Sequence, residues 1–327
     1  MPANLPPQYY AAENEFRKAK TLAEKIEALE NMLAIMPKHK GTDHLRGELR
    51  AKIAKLSEEA EKKRGGARAQ LYRVRKEGAR QVVLVGVANA GKSQLLAGLT
   101  EAKPKVASYP FTTQYPLPAI MQFEDVPIQL VDLPSITEES TYSWLRPILR
   151  AADLLLLVVD LSVDPLAEME AIFAGLLAMR MEPVGHGEES ISEELVVQKK
   201  ALVVGNKYDL PNARDGLEFL MIEYGERLPI VAVSAETKHG LTELGKQIFE
   251  ALEIIRVYTR APRQKADLTH PIILKKGSTV EDVATNLHRE LQQKLRYAQV
   301  WGSGKFSGQR VSRHYTPEDK DIIEIYT

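Results

Sequence analysis

Eight residues, Gly86-Val-Ala-Asn-Ala-Gly91-Lys92-Ser93, have the types and the spacing that a polyphosphate needs. Gly86 and Gly91 let the backbone approach phosphate oxygens, and the N–H groups that follow each other there form an anion cradle. A helix opening at Lys92 adds the positive end of its dipole. The Lys92 ammonium would neutralise β- and γ-phosphates, and the Ser93 hydroxyl would ligate Mg²⁺. The phosphate-contacting set read from the sequence is Gly86, Asn89, Ala90, Gly91, Lys92, Ser93 and Gln94.

A second group would choose the base. In Asn206-Lys207-Tyr208-Asp209, the Asp209 carboxylate can accept from both N1–H and the exocyclic N2–H of guanine, a pair adenine does not offer. Asn206 is expected on the O6/N7 side, and the Lys207 stem over the base plane. Ser234-Ala235 follows the next strand, where a backbone N–H can reach O6. Asp132 closes the strand Ile128–Val131, the place for an aspartate holding Mg²⁺ through water. Thr112 and Thr113 lie between the phosphate loop and that strand, where a hydroxyl can complete the Mg²⁺ shell and sense a γ-phosphate. The candidate catalytic residues are therefore Lys92, Thr113 and Asp132, with Ser93, Thr113 and Asp132 around the metal.

These residues need a scaffold that delivers them to one edge. Apolar runs at Gln81–Val85, Ile128–Val131, Leu154–Val159, Ala201–Val204 and Ile230–Val233 read as buried strands. Helical stretches at Lys92–Leu99, Trp144–Ala151, Pro165–Met179, Ala213–Tyr224 and Leu241–Ala251 separate them. That alternation predicts a mostly parallel sheet with helices on both faces. Upstream, Ala11–Ala60 reads as helix broken at Pro37–Gly41, with Thr42 as N-cap of the second half, hence a helical hairpin. From Glu61 to Arg80 a basic linker follows, with Lys62, Lys63, Arg64, Arg68, Arg73, Arg75, Lys76 and Arg80. Downstream, strands at Ile254–Tyr258, Pro271–Leu274, Gln299–Trp301 and Ile322–Tyr326 and a helix over Thr279–Arg296 predict a small α+β module. Val280, Val283, Leu287, Leu291 and Leu295 fall on one side of that helix. The expected domains are 1–78, 79–254 and 255–327.

The bulk composition sets limits. At 327 residues the chain exceeds one ordinary core. Its 44 basic and 44 acidic residues cancel, so only local charge can point to a polyanionic partner. It has no cysteine, which rules out a disulfide framework or thiol nucleophile and points to the cytoplasm. The residues from Met1 to Tyr10 lack the order of a signal peptide, and no apolar run reaches the roughly 20 residues of a membrane span.

Taken together, the phosphate loop, Tyr109-Pro-Phe-Thr-Thr113, Asp132-Leu-Pro, Asn206-Lys-Tyr-Asp209 and Ser234-Ala-Glu236 resemble the five G motifs of translation-factor-class GTPases. Their order and wording are most similar to the Obg superfamily and, within it, to the developmentally regulated GTP-binding (DRG) proteins. Lys38-His-Lys-Gly-Thr-Asp-His-Leu-Arg-Gly-Glu resembles that family's N-terminal helical segment. Gly277-Ser-Thr-Val-Glu-Asp282 and Tyr297-Ala-Gln-Val-Trp-Gly302 resemble a TGS domain, a β-grasp fold. The resemblance implies a P-loop GTPase flanked by a helical hairpin and a TGS module. It implies GTP or GDP as ligand, and Thr113 as the switch I threonine. It also makes Asn89 a candidate K⁺ ligand. It implies work on ribosomes or RNA, possible protein partners through the flanking modules, no membrane, and modest turnover. The chain departs from the family at Ser135, where a glycine is usual, and at Ile136, where no glutamine stands to orient water. Slow hydrolysis is the expectation. A non-hydrolysing nucleotide-dependent adaptor is the alternative.

Overall fold

The computed structural model describes residues 7–18, 22–36, 48, 49, 52, 74–100, 115–136, 144–185, 196–261, 264 and 266–327. The chain forms two units, Met1–Arg73 and Val74–Thr327. In the first, α1 (Pro7–Lys18) and α2 (Leu22–Ile35) stand where one helix was expected. Two short helices can close on each other as one long one cannot: Tyr9 and Ala12 share a buried cluster with Leu29, Met32, Met36 and Leu49. The helix expected from Thr42 lies outside the described residues, apart from Glu48, Leu49 and Lys52.

The second unit starts with a seven-stranded sheet. Its path is β2 (Leu117–Phe123), β3 (Val126–Asp132), β1 (Arg80–Val85), β4 (Leu154–Asp160), β6 (Val197–Asn206) and β5 (Met181–Val184), with β7 (Ile230–Ala232) also on β6. All pairings are parallel except β2 on β3. Alternate residues of β1 and β4 enter different cores. Val83, Val85, Leu155 and Leu157 pack under α4 (Leu145–Ala151), α5 (Pro165–Ala178) and α6 (Ala213–Tyr224). Val82, Leu84, Leu154 and Leu156 pack under α3 (Lys92–Leu99) and α7 (Leu241–Ala251). A strand buried on both faces reads as an unbroken apolar run, which is why β1 and β4 stood out in the sequence. β2 and β5 did not. β2 is an edge strand with one buried residue and a proline, and β5 contains Glu182-Pro183.

The C-terminal module has the strand order β11 (Gln309–Val311), β10 (Tyr297–Trp301), β12 (Asp321–Tyr326), β8 (Ile254–Arg260), β9 (Asp267–Lys275). One face packs on α8 (Val280–Leu287), where Val280, Val283 and Ala284 meet Val257, Ala298, Val300 and Ile323. α8 begins in a capping box between Thr279 and Asp282. The single helix expected over Thr279–Arg296 is two, α8 and α9 (Arg289–Lys294), because His288 is extended and caps the second. Leu287, expected on the buried side, is exposed.

The two sheets meet around Arg256 of β8, whose side chain is 3% exposed. Its guanidinium reaches Glu124 and Asp125 (3.0 Å) in the β2–β3 turn and Asp319 (2.6 Å) before β12. It also lies 4.9 Å above the Phe249 ring, which stacks on Phe123. Tyr258 donates to Asp125 at 2.5 Å, and Lys320 pairs with Glu124 at 3.0 Å. Burial and the Asp125 carboxylate push the Tyr258 hydroxyl up to about 12.

Candidate nucleotide-binding site

In an open α/β sheet, ligands bind beyond the carboxyl ends of the strands. The loops that leave β1, β3, β6 and β7 bring the sequence-read residues to that edge. The turn after β1 is wound tightly. Asn89 and Gly91 are both left-handed, with φ of 65° and 87°. A Cβ on Gly91 would fall 2.2 Å from the Asn206 amide, so glycine is required there by space as well as by φ. On the inner side, a Cβ on Gly86 would lie 2.4 Å from the carbonyl oxygen of Val158.

Lys92, at the first position of α3, is buried and folds back over the turn. Its ammonium donates to the carbonyls of Gly86 (2.9 Å) and Val87 (2.8 Å). Burial pulls this ammonium below its ordinary range, while Asp132 and Glu168 pull it back up. A cation with two weak carbonyl acceptors is poised to exchange them for phosphate oxygens.

Ser93 and Asp132 are brought together from α3 and the end of β3. The Ser93 hydroxyl donates to the Asp132 carboxylate at 2.5 Å. Hydroxyl and carboxylate oxygens beside a phosphate cradle suit a hard divalent cation, so these residues fit Mg²⁺. Among the described residues no group of three His, Cys, Asp or Glu could hold a metal. Among the described residues, then, Ser93 and Asp132 are the pair that would hold such an ion, alongside phosphate and water. Thr113 and Thr112 lie outside the described residues.

Asn206 has a structural role that its sequence reading did not include. Its side chain is fully buried, donates to the Ala90 carbonyl (2.9 Å) and accepts from the Ala235 N–H (3.1 Å). It pins the phosphate loop to the loop after β7. These two bonds leave capacity on the amide for the expected contact with the guanine O6/N7 side, and Asn206 also lines the cleft beside Asp209. Of the Ser234-Ala235 pair, the Ala235 N–H is the one bonded to Asn206. Ser234 is buried too, accepting from Thr237 N–H at 3.0 Å. Lys207 is left-handed (φ 63°) and pairs with Asp160, the last residue of β4, at 2.5 Å. Burial alone would raise the Asp160 carboxyl, but hydrogen bonds from Lys207 and Ser162 hold it below its usual range.

Asp209 stays exposed. It lines an open cleft of about 190 Å³ together with Gln94, Asn206, Lys207, Leu210, Ala235 and Glu236. Gln94 donates to Glu236 across the cleft. Sequence reasoning missed Leu210, Asp160 and Glu168. Only Asp160, an acid closing an apolar run, carried a signal that could have been read.

Residues 81–206 match the family model described as "50S ribosome-binding GTPase", and residues 255–327 match the TGS domain. A GTP-binding protein of Methanocaldococcus jannaschii, itself uncharacterized, is 31% identical over 93% of this chain and 92% of its own. The human developmentally-regulated GTP-binding protein 2 is 28% identical, covering 93% of this chain and 99% of the relative. This chain belongs to the DRG family of GTP-binding proteins. A GTP-binding protein of Pyrococcus horikoshii OT3 shares the fold, with a TM-score of 0.52 and 18% identity over 76% of this chain and 99% of that one. The central sheet is thus the G domain of a DRG protein, and the C-terminal module is its TGS domain. No helix among the described residues is long and apolar enough to cross a membrane.

Proposed function

We propose that this DRG protein hydrolyses GTP to GDP and phosphate, slowly, and that the nucleotide state governs its docking on ribosomes or translation-related RNA in the cytoplasm. The observation that carries the reading is the convergence of Lys92, Ser93 and Asp132 with the Asp209 cleft on one sheet edge. In the proposed complex the amides from Gly86 to Ser93 and the Lys92 ammonium hold the phosphates. Asp209 accepts from guanine, while Asn206 keeps the two loops in register. Mg²⁺, when bound, supplies charge to the phosphoryl oxygens; Ser93 and Asp132, with Thr113, would hold it. Asn89, exposed on the turn, is the proposed K⁺ ligand.

Slowness has a structural rationale. Ile136 is buried in the core with Leu133 and Leu145, and its N–H donates to the Gly86 carbonyl at 3.2 Å. Its side chain therefore cannot orient a water. The same burial favours the second reading, a nucleotide-dependent adaptor without turnover.

Phosphate release by the purified protein in K⁺ and in Na⁺, against a Lys92→Ala background, separates the two. Turnover above background, faster in K⁺, is expected. Background release in both salts, with nucleotide binding retained, leaves the adaptor. Docking is read by ribosome co-sedimentation with GDP, a non-hydrolysable GTP analogue, and no nucleotide. The analogue should pellet the most protein. Equal pelleting in all three, or none, would remove the switch.

A further inference from the structure

The strands of the TGS sheet present two different faces. Even-numbered residues of β8 and β12, and odd-numbered residues of β10, point away from α8. At one end of β8 this outward face is covered by the G domain, through Arg256 and Tyr258. Beyond them lies a layer of rings and guanidinium groups. Tyr297 and Tyr326 are cross-strand partners, stacked at 4.7 Å and 9°. The guanidinium carbon of Arg310, on β11, lies over Tyr297 at 3.8 Å, and that of Arg260 over Trp301 at 4.1 Å.

The layer is held in place from below. Glu324, only 1% exposed, accepts from Arg260 Nε at 2.8 Å and from the Tyr326 hydroxyl at 2.5 Å. That carboxylate is neutralised by Arg260. Arg310 is exposed and makes no ion pair among the described residues. The flanking turns add the exposed Arg296 and Lys305, and Phe306, which is 64% exposed. The net result is a cationic, π-rich surface, assembled before any ligand arrives, in which guanidinium groups cover the Tyr297 and Trp301 rings.

We infer that this outward TGS face, from Arg310 and Tyr297 to Trp301 and Arg260, is a stacking platform for single-stranded RNA. Bases stack on aromatic rings and on guanidinium planes, while arginines neutralise the phosphates between them. A duplex hides its base faces and gains little from such a layer. The inference rests on the RNA part of the function proposed above, and assigns it a surface.

The test uses the full chain and fluorescein-labelled twelve-nucleotide oligomers of U and of A, read by anisotropy, with duplex RNA as comparison. The wild type should bind both single strands better than the duplex. Arg310→Ala should weaken single-strand binding about tenfold and flatten the salt slope by about 0.7. Tyr297→Leu should weaken it by a similar factor without changing that slope. Arg310 is exposed, so its truncation should leave the melting temperature in place and exclude misfolding as the cause. Unchanged affinity in both variants, or a wild type that prefers the duplex, overturns the inference. Ribosome pelleting by the Arg310→Ala protein distinguishes the two levels. Pelleting at the wild-type level keeps the proposed switch and removes this surface. A wild type that never pellets removes the switch instead.

Discussion

Asp209→Asn is expected to weaken GTP binding by about 10- to 150-fold, the loss of one hydrogen bond to a charged acceptor or slightly more. It should also turn preference towards xanthine nucleotides. The carboxylate accepts twice from guanine. An amide presents a donor at one of those positions, and xanthine offers an acceptor there. Asp209 suits the experiment because it is exposed and its removal leaves no buried group unsatisfied. Asn206, fully buried and bonded at both ends of its amide, would confound base recognition with loop collapse. Titration of the variant with GDP and XDP decides the matter. An unaltered GDP affinity would remove Asp209 from the base site.

Arg256→Ala should destabilise the second unit by about 3 kcal/mol. Breaking a buried ion pair costs roughly 3–5 kcal/mol, and the lower end applies because the carboxylate partners are partly solvated. Their side chains are 51% (Glu124), 25% (Asp125) and 32% (Asp319) exposed. Arg256→Lys should recover little, since an ammonium cannot span three carboxylates as a planar fork does. Acid offers an independent route to the same contact. Hydrogen bonds from Arg256 and Lys320 hold the Glu124 carboxyl below its ordinary range. Burial would raise Asp125 and Asp319, but Tyr258 and Arg256 outweigh it at the first, and Arg256 at the second. Carboxyls lowered by folding stabilise above their unfolded values near pH 4, and that contribution fades as pH falls through the folded ones. Wild-type stability should therefore drop below about pH 4, and the Arg256→Ala protein should show a shallower drop. Urea midpoints across pH test both claims. Identical midpoints for variant and wild type at neutral pH would contradict them.

What the sequence disclosed follows from distance along the chain. The phosphate loop is read from eight consecutive residues, and its glycines are demanded by local φ and close approach. The double-sided burial of β4 writes itself as seven apolar or closing residues in a row. The tie Asn206 makes between two loops was not legible, because its partners Ala90 and Ala235 lie 116 and 29 positions away. Arg256 gave no warning at all. Its three acids come from two turns, one of them more than 130 residues upstream, and a lone arginine in a strand carries no pattern. Edge strand β2 was hidden by its solvated face, and the break at His288 by an otherwise helical rhythm. Thr113 lies outside the described residues, so its proposed role rests on the motif alone.

The β2–β3 hairpin is a rod about 20 Å long, seven residues paired with seven. Asp132 stands at one tip and the Glu124–Asp125 turn, clasped by Arg256, at the other. A rod that is stiff lengthwise hands any displacement of one tip to the other, or else tears the clasp. Under the proposed function, cargo on the TGS module would lean on the hairpin whose far tip carries Asp132. By thermodynamic reciprocity, whatever factor nucleotide exchange contributes to cargo affinity, cargo must return to the nucleotide.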